Sequence, residues 1–88
     1  MSTLYDVFTI EFPRKPTRYQ ILKKVVSAVN EGHKAIEVVW GESWLQLDFH
    51  PNHHKWYGSG WIKDVGGDSI VQTLNEQHKN AVLNLWNT

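Results

Sequence analysis

The chain has no cysteine among its 88 residues, so a disulfide framework, a thiolate zinc site and a thiol nucleophile are excluded at the outset. It also lacks any apolar run near the roughly 18 to 20 residues that a membrane-spanning helix needs. Charge of one sign is missing too: nine Lys plus Arg balance nine Asp plus Glu, so no overall field attracts a phosphate backbone or anionic lipid. Residues Met1 to Phe12 alternate in polarity and carry Asp6 and Glu11, unlike the basic start and unbroken apolar stretch of a secretory signal. No GxSxG elbow, Walker loop or dinucleotide fingerprint occurs. These absences predict a cytoplasmic protein without membrane contact or cofactor, in which nucleic acid would have to be held by a local patch.

What is present is an ordinary globular composition, with 41% apolar and 20% charged residues, above the hydrophobicity of disordered segments. A chain this short supports one core, and no repeat or linker divides it, so residues 1–88 are expected to form a single globular unit. Leu4, Phe8, Ile10 and Phe12 share one parity, the signature of a strand buried on one face, and Pro13 ends it. Thr17 followed by Gln20 three residues on is a capping box, opening a helix with Leu22, Val25, Val26 and Val29 on its apolar side. Gly32 supplies the left-handed stop.

A two-residue turn at Gly41-Glu42, with glycine first as a type II′ turn requires, sorts the flanking residues by face. It places Val38 opposite Leu45 and Ile36 opposite Leu47 on one side, and Val39 opposite Trp44 and Glu37 opposite Gln46 on the other. The segment from His50 to His54 reads as a turn, and Lys55 to Lys63 as the next strand, with Gly58 and Gly60 as candidate bulge positions. After Gly66-Gly67, Asp68 or Ser69 can cap a last helix whose stripe is Val71, Leu74, His78, Ala81, Val82 and Leu85. The expected fold is therefore α+β and two-layered, in the order β-α-β-β-β-α. An antiparallel meander gains an N-terminal strand, and two helices pack on the sheet face bearing Ile36, Val38, Leu45, Leu47 and Phe49.

With the helices on that face, the other displays Val39 and Trp44. A four-residue loop at 51–54 adds Tyr57 and Trp61 beside them. Rigid aromatic surface of this kind anchors protein partners. Leu83 and Trp86, off the apolar stripe of the last helix, form a second candidate surface, suited to a homodimer. The size suggests an inhibitor or adaptor of the sort encoded by phages and mobile elements.

Two other chemistries are considered. Arg14, Lys15 and Arg18, with Lys23 and Lys24, make a local basic patch that could rim nucleic-acid bases stacked on Trp44, Tyr57 and Trp61. The order after Thr17 resembles a double-stranded-RNA-binding domain, but the last helix opens Asp68-Ser69-Ile70-Val71 where that family carries lysines. His50, His53 and His54 are candidate metal ligands, with Asp48 nearby. Placed before Gly66-Gly67 and a helix carrying Asn75 and His78, the pair His53-His54 resembles the strand, strand, helix metal site of HNH-type nucleases. That resemblance implies a metal-dependent hydrolase using His53, His54 and His78. A solvated turn is the competing reading for these histidines, and His33 reads as surface. His78 fits a core histidine bonded to the backbone.

Overall fold

The Gly41-Glu42 turn forms as the sequence requires and sets the architecture. Gly41 has a φ of +55°, whereas among the described residues His54 is the only non-glycine with positive φ, so Glu42 keeps the negative φ that distinguishes type II′ from type I′. In the computed structural model, which describes residues 6–60 and 66–86 (the last two by backbone alone), the turn joins β2 (Ala35–Trp40) to β3 (Ser43–His50). Val38 pairs with Leu45, Ile36 with Leu47 and Val39 with Trp44. The fold is α+β. β1 (Phe8–Phe12) lies parallel to β2 at one edge, and β4 (Lys55–Gly60) lies antiparallel to β3 at the other, giving the order β1-β2-β3-β4.

Parallel neighbours need a crossover, and α1 (Arg18–Asn30) supplies it. Its start is the expected capping box: the Gln20 amide donates to Thr17 Oγ1 at 3.1 Å, and the Thr17 amide donates to Gln20 Oε1 at 2.9 Å. Its end is a Schellman motif, with Gly32 at φ +101° and bonds from Gly32 N to Val29 O and from His33 N to Ala28 O. The fully buried residues of α1 include Ile21 and Val25, while Leu22, Val26 and Val29 only border the core. The stripe is thus rotated by a residue from the one the sequence suggested, because Ile21 rather than Leu22 points at the sheet.

The same rotation occurs in α2 (Gly67–Trp86), where Ile70 and Leu74 are buried and Val71 is half-buried. The helix begins at Gly67, so Asp68 and Ser69 lie inside its first turn and are not its caps. Asp68 there still interacts favourably with the helix dipole. Arg18 Nη1 donates to Ser69 Oγ at 2.6 Å and ties the starts of the two helices together. Together with Ile10, Ile36, Val38, Trp40, Leu45, Leu47 and Trp56, the helix residues form one contiguous core on a single face of the sheet. Each fully buried aliphatic side chain contributes roughly 1.5–3 kcal/mol.

The glycines of β4 mark close approaches rather than a bulge, since the register with β3 is continuous from Leu45↔Gly60 to His50↔Lys55. A Cβ on Gly58 would lie 2.8 Å from Val71 Cγ2, so the bare backbone lets α2 settle onto the strand. The helix also occupies the strand's outer edge at Trp56. Asn75 Oδ1 accepts from the Trp56 amide at 2.6 Å, and Asn75 Nδ2 donates to the Trp56 carbonyl at 3.2 Å, as a neighbouring strand would do. Asn75→Ala leaves both main-chain groups without these partners, so the unfolding free energy should fall by about 2 kcal/mol. Urea titration should show a lower midpoint at unchanged slope.

Candidate protein-binding surface

With both helices on one face, strand alternation sends Thr9, Glu11, Glu37, Val39, Trp44, Gln46, Asp48 and Tyr57 to the other. Trp44 and Tyr57 remain 42% and 40% exposed, while Val39 is half-buried beside Trp44. The two aromatics do not form one patch. Trp44 is four residues along β3 from Asp48, the partner of Tyr57, a separation of about 13 Å at ~3.3 Å per residue. Between them Gln46 Nε2 donates to Asp48 Oδ1 at 3.2 Å, and Glu37 and Ser59 lie in register with Gln46 on either side. The face thus has two aromatic ends and a polar, acidic middle.

At the first end, Trp44 is propped from beneath. Gly60 has a φ of +94°, and a Cβ there would stand 2.6 Å from the Trp44 carbonyl oxygen and 2.8 Å from ring atom Cε3. The indole therefore lies against bare backbone, with one side supported and the rest facing solvent. At the second end, Tyr57 sits in a cluster of rings. Its hydroxyl is 3.0 Å from His53 Nδ1, and its ring centroid is 4.5 Å from that of His50. His50 and His53 stack on each other at 5.7 Å.

The remaining candidates scatter. Leu83 is 48% exposed on α2, which belongs to the helical layer, so it shares no surface with Trp44. Trp61 and the side chain of Trp86 lie outside the described residues. Arg14 and Lys15 are exposed in the β1–α1 connection, and Arg18 is engaged with Ser69 at the start of α1. None of these three lies on the strand face that carries Trp44 and Tyr57, where the charged residues are Glu11, Glu37 and Asp48 with Lys55 beside Tyr57 among the described strand residues.

The histidines do not converge. His53 belongs to the Tyr57 cluster, whereas His54, held at φ +53°, stacks with His78 at 5.9 Å. Among the described residues, no group of three His, Cys, Asp or Glu is placed to hold a metal ion. Asn75 is committed at both ends of its amide to Trp56, which removes it from an HNH-like site. His78 also departs from the expected backbone-bonded histidine: its ring packs on Phe49 at 4.9 Å, and its Nε2 is sealed from water with no hydrogen-bond partner. His33 is not plain surface either, since its ring stacks on Phe8 at 4.2 Å.

Strand parity alone identifies the acids of the open face, because Glu11 alternates with Ile10 and Glu37 with Ile36 and Val38; register then puts Glu37 beside Gln46 in the middle and Glu11 in the row of Val39 and Trp44. The support of Trp44 by Gly60 has no such signal, since it depends on where β4 ends. Comparison with known proteins gives no match to any family model, curated protein or solved structure. Among the described residues no helix is long and apolar enough to cross a membrane.

Proposed function

We propose that the protein is a binding module that works by contact rather than by chemistry. More specifically, it is a small cytoplasmic inhibitor or adaptor, of the kind carried by phages and mobile elements, which docks another protein across the open face of its sheet. The observation that carries this reading is the one-sided packing. Both helices cover a single face, and the other presents Trp44 and Tyr57, each about two-fifths exposed, on rigid paired strands. Exposed aromatics on a fixed scaffold lose little entropy on binding and are frequent interface hot spots. On this face the acids Glu11, Glu37 and Asp48 outnumber the one strand cation, Lys55, which favours a protein over nucleic acid, whose phosphates they would repel.

A photo-crosslinking residue at Ser59, which is exposed and in register with Gln46 on this face, should give a discrete adduct in host cells. The same residue at Lys23 on α1 should not. Trp44→Ala should weaken the complex by about 2 kcal/mol, roughly thirtyfold, and remove the adduct while leaving the fold intact. An adduct formed from Lys23 alone, or one indifferent to both Trp44→Ala and Tyr57→Ala, would show that the open face is not the docking surface.

A further inference from the structure

The two edges of the sheet are treated differently. At β4 the main chain of Trp56 is occupied by Asn75. At β1, among the described residues, no element pairs with the outer edge. Edge strands are ordinarily protected from pairing by charged side chains, lysine above all, by proline, by a bulge or by short length. The five-residue β1, Phe-Thr-Ile-Glu-Phe, has no lysine, proline or bulge, and its one charge, Glu11, faces the uncharged Thr9 in the pairing below. It is instead nearly palindromic in character, with aromatics at both ends and Ile10 at the centre.

We propose that two copies of this chain pair through the outer edges of β1, antiparallel about a two-fold axis at Ile10, to give one continuous eight-stranded sheet. The contact is made by the main-chain edge of β1, which borders the open face at Thr9 and Glu11, and it does not depend on what that face binds. The register sets Phe8 of one copy opposite Phe12 of the other and Thr9 opposite Glu11, so no like charges meet and the aromatic pairs stay on the helical side. A closed two-fold contact needs a patch complementary to itself, and the flanking helix provides one.

Alongside the β1 edge runs a groove of about 280 Å³ lined by Phe8, Ile10, Lys24, Ser27, Ala28 and Glu31 among others. Lys24 on α1 and Glu31 at its C-cap are both exposed and line the groove about two helical turns apart. His33, just beyond Glu31, stacks on Phe8, which fixes α1 as running opposite to β1 and places Glu31 at the Phe8 end. Rotation about Ile10 therefore brings Lys24 of each copy towards Glu31 of the other, a charge pairing made twice by symmetry. Among the described residues, the short ionic contact of Glu31 within the single chain is to His33 Nε2, at 3.9 Å.

Because the chain has no cysteine, the register can be read directly. The double variant Thr9→Cys/Glu11→Cys should form a disulfide-linked dimer on mild oxidation, since directly opposed residues lie within disulfide reach. In sedimentation experiments across a wide concentration range, the native chain should self-associate to a dimer. Lys24→Glu and Glu31→Lys should each weaken that dimer roughly tenfold, and Lys24→Glu/Glu31→Lys together should restore it. A chain that stays monomeric throughout overturns the proposal. So does a dimer that ignores both charge reversals and leaves the cysteine pair unlinked.

Discussion

Gly60→Ala should lower the unfolding free energy by about 3 kcal/mol, and it should disturb Trp44 before any other part of the open face. Two costs combine. A left-handed φ of +94° is strained for any residue with a Cβ, by roughly 1–3 kcal/mol. The added methyl would also stand 2.6 Å from the Trp44 carbonyl oxygen and 2.8 Å from its ring, and a paired backbone cannot yield as a flexible side chain can. Gly41→Ala is the natural comparison, because φ there is +55° but nothing lies within 4 Å of the new Cβ. That variant should show the dihedral cost alone, about 1 kcal/mol. The excess at Gly60 then measures how tightly the indole is seated. Chemical denaturation gives both energies, and tryptophan fluorescence reports the ring. Equal losses at the two glycines would mean that Trp44 is not braced by β4.

The second large effect is expected in the core, at Leu47→Ala. Leu47 is completely buried on the helical face, flanked in register by Ile36 on β2 and by Gly58 on β4. Truncation removes the favourable transfer of the side chain and leaves a cavity, and such changes cost 2–5 kcal/mol depending on how far the walls relax. Here one wall is the backbone at Gly58, which has no side chain to move in. A loss of about 3 kcal/mol is therefore expected, equivalent to a fall in melting temperature of roughly 12–24 °C for a chain of this size. Natural domains of this length hold only about 4–13 kcal/mol, so a calorimetric shift of a few degrees would mean that Val71 or a neighbour collapses into the space.

The strands and their faces were legible in the sequence because a single local device, the Gly41-Glu42 turn, fixes the register of β2 and β3 and so the side each residue takes. Period-two alternation then carried the assignment to Ile10 on β1 and, through a four-residue loop, to Tyr57 on β4. Helical stripes were less sharply defined. A stripe about 100° wide admits a neighbour at either margin, and Ile21 and Ile70 fell just outside the faces drawn from Leu22 and Val71 although both are fully buried. The site was partly legible. Trp44, Val39 and Tyr57 share the face expected of them, but as two ends of a strand rather than one patch, because four residues of β3 separate them. The role of Asn75 had no sequence signal, since a side-chain amide facing a strand edge 19 residues earlier in the chain looks, in one dimension, like any helix asparagine.

That amide has a consequence for the life of the chain outside its native state. A nascent chain that has not yet extended to residue 75, or one cut within α2 by a protease, offers the outer backbone of Trp56 to any strand that comes near. The last helix is therefore also a guard against aggregation, since the β4 edge at Trp56 stays open to other chains until that helix has docked.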